Sequence, residues 1–462
     1  MSRKFCVAVL CFAGFSGALF AQNSSSITGT VRDSTGAVIA GADVTVTNTA
    51  TGVAQKATSN SSGDYLIAGL SAGAYNLKVS TTGFKTFQAR NVILQVNQKA
   101  RIDPNMEVGE ITSEVQVEGT SVAQVETQSS EMSGVVTNKE INKIVLNGRN
   151  FTQLVTLIPG VSNQTGQDEG TVGVNGSVSM SVNGGRTEDN NWEVDGGDNM
   201  DNGSNGTLNV YPNVDAIAEV KVLTSNYGAQ YGRNGSGTIE TVTKSGTKDF
   251  HGDVFEFLRN DAFNARNFFQ STVPEYKKND FGYTIGGPVF IPRLYNTNKD
   301  KTFFFFSEEW RRDVVPGQTF FQQVPSVEEQ HGNFSDVCPG AGSGVDKTGF
   351  PDCPVNPMTG AYFPNNTVPI DSNAQSILTL LPQPNVGSGI GSYFQAAPAQ
   401  PTHWREELVR VDHNFSDKLS LFGRYIHDSW STVQPTLFGA MAPPFQPLGR
   451  ISSVRVLAWL PT

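Results

Sequence analysis

Short runs of alternating apolar and polar residues cover most of the chain, broken by Gly, Asn, Asp and Pro, and long helical periodicity is scarce. That patterning predicts a mainly β protein. In "SITGTVRDSTGAVIAGADVTVTNTATG", Ile27, Gly29 and Val31 alternate, Ser34 to Gly36 turns the chain, and Ala42, Val44 and Val46 alternate again. Tyr65 and Ile67 follow on one strand, Tyr75, Leu77 and Val79 on the next, and "NVILQVNQKARIDPNMEV" closes the set. About seven strands in ~80 residues make a small N-terminal β-sandwich, assigned to residues 22–107.

The period changes in residues 108–250. "EITSEVQVEGT" is extended and polar, with Val115 and Val117 alternating. Thr137 and Glu140 then form a T-x-x-E capping box, and Ile141, Ile144 and Val145 lie on one helical face. Asn150 caps a second short helix, Phe151 to Leu157, which stops at Pro159-Gly160. Helices among strands predict an α+β domain.

From residue 251 to 462 the alternation returns in longer runs. Phe281, Tyr283 and Ile285 alternate with small or polar residues, and Phe303 and Phe305 face away from Phe304, Phe306 and Trp310. The clearest hairpin sends Val409 and Val411 up and Leu419, Leu421 and Tyr425 back, with Arg410, Asp412, Ser420 and Arg424 between them. Apolar-out, polar-in strands predict the first strands of an antiparallel transmembrane β-barrel. A soluble sandwich could carry the same alternation. The Pro-, Gly- and Asn-rich stretch at about 316–402 reads as one long extracellular loop.

Targeting and charge narrow the class. Arg3 and Lys4 precede an apolar run from Phe5 to about Phe20 and then small residues, the layout of a secretory signal peptide covering 1–21. Cleavage after Ala18 competes with cleavage after Ala21. Removal of the signal leaves Cys338 and Cys353, which an exported chain is expected to join in a disulfide. The net charge of −10, with no cationic run, argues against nucleic acid as a partner. No apolar stretch of ~18 residues follows the signal, so no membrane helix is expected.

Candidate chemistry is sparse. Gly69-Leu70-Ser71-Ala72-Gly73 fits the G-x-S-x-G elbow of serine hydrolases, but that elbow needs a helix after it, and "AYNLKVS" is a strand pattern. "NNWEVDGGDNMDNG" crowds Glu193, Asp195, Asp198 and Asp201 into a glycine-rich stretch. Counted from Asp195, Gly197, Asn199 and Met200 fall at the third, fifth and sixth positions, a poor calcium loop. A hairpin with Trp192 and Val194 on one face and Asp195-Gly196 at its turn fits better. The five histidines show neither H-E-x-x-H nor triad spacing. No enzyme, cofactor or metal site is expected.

Several stretches carry a resemblance. "GTVRDSTGAVIAGADVTV" and "GDYLIAGLSAGAYNLKVSTTGF" resemble the carboxypeptidase regulatory-like domain, a binding or regulatory module. "VLNGRNFTQLVTLIPGV", "NGGRTEDNNWEVDGG", "IAEVKVLTSNYGAQYGRNGSGTIETVTKSGT" and "FHGDVFEFLRND" resemble the plug of TonB-dependent outer-membrane receptors, in particular the Oar-like branch, which places the regulatory-like domain before the plug. The resemblance implies an outer-membrane transporter of an unidentified extracellular ligand, embedded in outer-membrane lipid and driven by a TonB-type periplasmic partner. It points to Val115 and Val117 for the partner strand and to Asp198, Asn199, Asp201 and Asn202 as loop residues for ligand. An adhesin anchored by the barrel is the alternative. Residues 251–462 hold about 6–10 strands where such barrels close around ~22, so the chain is expected to be truncated within an incomplete barrel.

Overall fold

The computed structural model describes residues 25–433 and the strand Arg450–Trp459, apart from 111–113, 119–127, 166–177, 202, 418 and short breaks within 267–274, 317–318 and 339–352. The expected signal segment lies outside the described residues.

Residues 25–110 form two facing sheets. Strand Ser25–Thr30 lies between Asp64–Leu70 and Lys99–Arg101, and a second sheet orders Ala54–Thr58, Asp43–Asn48, Gly73–Ser80 and Thr86–Leu94. The alternating residues read from the sequence point inward: Ile27, Val44, Val46, Tyr65, Leu77 and Val79 are all buried in one core. Gly29 packs where a Cβ would sit 1.7 Å from the Ile102 carbonyl oxygen, so no other residue fits there. Ser71 lies in the tight link between two strands, with its hydroxyl 3.3 Å from the Tyr75 hydroxyl. The helix that a nucleophile elbow requires is not there.

Strand Glu114–Glu118, which carries Val115 and Val117, adds in parallel to the edge strand Thr86–Leu94 of the sandwich.

The central domain is a five-stranded sheet ordered Met132–Thr137, Ile217–Ser225, Thr238–Thr243, Asn191–Val194, Gly197–Asp198. The capping box forms, with Glu140 accepting from the Thr137 amide at 2.8 Å. The helix it starts is shorter than the apolar spacing suggests. It ends at Ile141, so Ile141 is buried while Val145 is 99% exposed. Asn147 and Gly148 intervene too soon for another turn, and Gly148 takes a left-handed backbone. The second helix spans Phe151–Leu157 as a 3-10 helix, with Asn150 accepting from the Thr152 amide.

The remaining strands form one open antiparallel sheet: His251–Asn260, Lys277–Pro288, Thr302–Pro316, Ala399–Ser416, Leu419–Val433 and Arg450–Trp459. Its six strands are longer than the alternating runs alone suggest, and the pairing of Ala399–Ser416 with Leu419–Val433 runs to Ser416 opposite Leu419. Val409, Val411 and Tyr425 point outward, while Arg410 and Arg424 point inward and are buried. The inner wall is not uniformly polar. Phe303, Phe305, Trp404 and Leu408 are also buried there, and Phe305, Trp404 and Leu408 pack against the central domain.

The link from the central domain into this sheet is pinned. A Cβ on Gly246 would meet the Phe304 carbonyl oxygen at 2.3 Å and that of Gly287 at 2.6 Å, so the chain lies flat on the wall. Ser245 donates to Asp412 at 2.7 Å beside it.

The long stretch between Pro316 and Ala399 has structure of its own. Strands Phe320–Gln323 and Tyr393–Ala396 pair at its base, and a helix, Ser372–Leu378, is capped by Asp371. Cys338 and Cys353 are bonded, with Cα atoms 5.9 Å apart, and sit in a small apolar cluster with Val337. Replacing both with Ser removes a link across 15 residues, a constraint worth ~3 kcal/mol. Proteolysis of this stretch is then expected to speed up roughly hundredfold, while the strands of the barrel sheet keep their protection.

Candidate functional site

The stretch "NNWEVDGGDN" folds as a hairpin. Asn191–Val194 pairs antiparallel with Gly197–Asp198, and Asp195 and Gly196 both take left-handed conformations, the backbone of a type I′ turn. Trp192 and Val194 are buried on one face, as their spacing predicts. The turn does more than reverse the chain. It aims the Asp195 carboxylate at the wall of the barrel sheet.

Asp195 is 3% exposed and completely enclosed by donors. Arg424 Nη1 lies 2.6 Å from Oδ2, and Arg410 Nη1 lies 3.3 Å from Oδ1. The Thr243 amide donates to Oδ1 at 2.8 Å and its hydroxyl to Oδ2 at 2.6 Å. Arg410 also grips Asp412 at 2.9 Å and lies 4.3 Å from the Phe422 ring centroid. Burial alone would raise the Asp195 pKa, but Arg424, Arg410 and Thr243 outweigh it and hold the carboxyl below the usual range.

A second polar seat lies on the same inner wall. Arg149, from the NGR turn, bonds Asp215 at 2.6 Å and approaches Glu309 at 3.5 Å. Its guanidinium sits 4.5 and 4.3 Å from the ring centroids of Phe255 and Phe257. Arg311 holds Glu309 at 3.1 Å, donates to the Arg149 carbonyl at 3.3 Å and stacks 4.3 Å over Trp404. Nearby, Asp428 accepts the Tyr211 amide at 3.1 Å. Between the seats, Val194, Val210 and Ala216 meet Phe305, Leu408 and Ile426 in a small apolar cluster.

The sequence-predicted loop residues do not converge on one point. Asp198 is paired with Arg233 and accepts from the Met200 amide at 3.0 Å. Asn199 is buried and bridges Val210, donating to its carbonyl at 2.9 Å and accepting from its amide at 3.0 Å. Asp201 folds its own loop, accepting amides from Gly203, Ser204, Gly206 and Thr207 at 2.7–3.1 Å. Desolvation is the largest single influence on the carboxyl and raises its pKa, but those bonds together outweigh it and hold the pKa well below the usual carboxylate range. Asn202 lies outside the described residues. Arg149, Glu309 and Arg311 escaped the sequence reading. Their one local signal is charge at inward positions of otherwise apolar strands and directly after a tight turn.

Three family patterns match this chain in succession: carboxypeptidase regulatory-like domain at residues 26–107, TonB-dependent receptor plug domain at 125–239, and outer membrane beta barrel domain at 242–457. Together they make the chain a homologue of the TonB-dependent receptors. The TonB-dependent transporter Oar of Myxococcus xanthus is 27% identical over 310 residues, 63% of this chain and 27% of that protein. The chain therefore spans about a quarter of that relative's length. Solved structures with a similar course include the outer membrane transporter YddB from Escherichia coli, with TM-score 0.39 and 12% identity over 67% of this chain and 36% of that one. The siderophore receptor PirA from Acinetobacter baumannii gives TM-score 0.34 and 14% identity over 71% of this chain and 44% of that one. In this chain the central domain is the plug, the open sheet is barrel wall, and the chain is an outer-membrane protein. Both arginine seats join plug to wall.

Proposed function

We propose that this chain is the N-terminal portion of a receptor that binds an extracellular ligand and takes it up when a TonB-type periplasmic protein acts on the plug. Residues 1–21 serve as signal, 22–107 as the regulatory-like sandwich, 108–250 as plug and 251–462 as barrel, with outer-membrane lipid around the wall. The observation that carries the reading is the nature of the plug seat. Two buried ionic clusters hold it beside a small apolar patch and the wall tryptophans Trp404 and Trp430, and the polar contacts among these can be exchanged for water when the plug moves. No enzymatic step is needed for this role, and no cofactor.

Val115 and Val117 mark the strand offered to the partner, which would pair with it by β-augmentation. Among the loop residues, Asp198 is half exposed and suited to ligand contact, Asn199 and Asp201 shape the loop around it, and Asn202 completes the set. Replacing Val117 with Pro removes a backbone donor from the strand. Capture of the chain by the periplasmic domain of the energy-transducing protein is expected to fall at least tenfold, with outer-membrane levels unchanged. Equal capture would count against the transport reading. The second reading, an adhesin anchored by the barrel, draws on the disulfide-linked fold between Pro316 and Ala399. It predicts that removing this loop abolishes surface attachment while the Val117 substitution does nothing.

A further inference from the structure

The sandwich is not loosely tethered to the plug. The tip between strands Thr86–Leu94 and Lys99–Arg101 presses Val96 and Asn97 onto the plug sheet, on the face opposite Trp192. The Val96 amide donates to the Glu219 carboxylate, and Lys221 Nζ donates to the Val96 carbonyl at 3.2 Å. Asn97 takes a left-handed backbone and donates its side-chain amide to Glu240 Oε1 at 2.7 Å, Glu240 Oε2 at 3.0 Å and the Tyr231 hydroxyl at 3.1 Å.

The surface under this tip is acidic by register. Lys221 lies opposite Glu240, Glu240 opposite Glu193, and Glu193 opposite Asp198. Asp198 has Arg233, and Glu193 accepts from Asn191 at 2.8 Å. Glu131 approaches Lys221 at 3.8 Å from the segment before the first plug strand. Among the described residues, Glu131, Glu219 and Glu240 therefore share the ammonium of Lys221, and Glu193 adds its negative charge beside Glu240. Glu219, Glu240 and Lys221 are almost wholly buried by the sandwich tip.

We propose that this junction is a proton-sensitive latch, in which Val96 and Asn97 stay docked while the glutamates beneath them are protonated and let go when they ionise. Burial raises Glu219 to about 7, against the opposing pull of the Val96 amide and Lys221. Burial likewise raises Glu240 to about 8, with Glu193 adding to the rise, and raises Glu193 to about 7. An exposed glutamate titrates near ~4.3. Docking therefore raises these pKa values, so it is linked to proton uptake. The linked stabilisation is fully present below ~4.3, falls as pH rises, and is gone once pH has passed through about 7 for Glu219 and about 8 for Glu240. Above that, uncompensated like charges in a dry contact push the two domains apart. The latch does not depend on the transport reading, because it concerns only how the sandwich sits on the plug.

Hydrogen exchange of the full chain in outer-membrane vesicles tests it, followed at the peptide containing Val96 from pH 5.5 to 8.5 with intrinsic base catalysis divided out. Protection is expected to drop at least tenfold between pH 6 and 8.5. The Glu219→Gln/Glu240→Gln double variant should stay protected throughout, within twofold. Protection in strand Asn191–Val194 reports whether that variant has kept its plug. A less invasive change, Glu193→Gln, touches neither Val96 nor Asn97. It should move the midpoint to lower pH by removing a neighbouring negative charge from Glu240. A wild-type profile that is flat, or a midpoint indifferent to Glu193→Gln, overturns the latch.

Discussion

Asp195→Ala is expected to destabilise the seating of the plug by about 3–5 kcal/mol. The size follows from what is left behind. Arg424 and Arg410 are both buried, and each has Asp195 as an ion-pair partner. Removing that carboxylate strands positive charge in a dry interface, which costs far more than the pair itself contributes. Asp195→Asn keeps the shape and a hydrogen bond to Thr243, yet leaves the same charge uncompensated, so it should recover only a minor part. Lys85→Ala is the control. Its pair with Glu107 is surface-exposed at 36% and 53%, and its loss should stay within about 0.5 kcal/mol. Denaturant unfolding reads all three, followed at the plug for the two Asp195 variants and at the sandwich for Lys85→Ala. The pH sense is opposite to that of the sandwich latch. Asp195 is held below its ordinary 3.8, so its contribution is in full force above that pH and is lost only as pH falls below it.

Trp192→Ala should cost a similar ~3–5 kcal/mol by a different route. The indole is 1% exposed and meets Phe151 edge-on at 6.3 Å between ring centroids. It sits in the core that unites the plug helices, the plug sheet and the barrel-wall tryptophans Trp404 and Trp430. A cavity there loosens both the plug and its contact with the wall. Trp192→Phe should retain more than half of the stability in the same unfolding measurement. Equal losses in Ala and Phe variants would show that shape, not volume, governs the site.

How much of this was legible in advance depends on range. Val44, Val46, Leu77 and Val79 announce their burial through period-two spacing, and the Asp195-Gly196 turn announces itself through residues that tolerate left-handed backbone. The capping box at Thr137 was legible too, but the helix length was not: apolar spacing carries the helix on to Val145, whereas it ends at Ile141 ahead of the Asn147-Gly148 turn and leaves Val145 in solvent. Asp195 could be placed in a turn. Its partners could not, since Arg410 and Arg424 lie 215 and 229 positions away. Val96 and Glu219, 123 apart, raise the same difficulty. Local pattern fixes which face a residue takes, not which distant face it meets.

The pinned link at Gly246 bears on mechanics. A plug joined to the wall by a free hinge could swing out as one body. Here the exit of the plug strands lies flat against the Phe304 and Gly287 carbonyls, with no room for even a methyl group. Traction applied from the N-terminal side would therefore meet the sandwich junction first, the Arg149 and then the Asp195 seat next, and this anchor last. The plug is built to unravel from its leading end while its trailing end remains fixed, like a zip with a closed base.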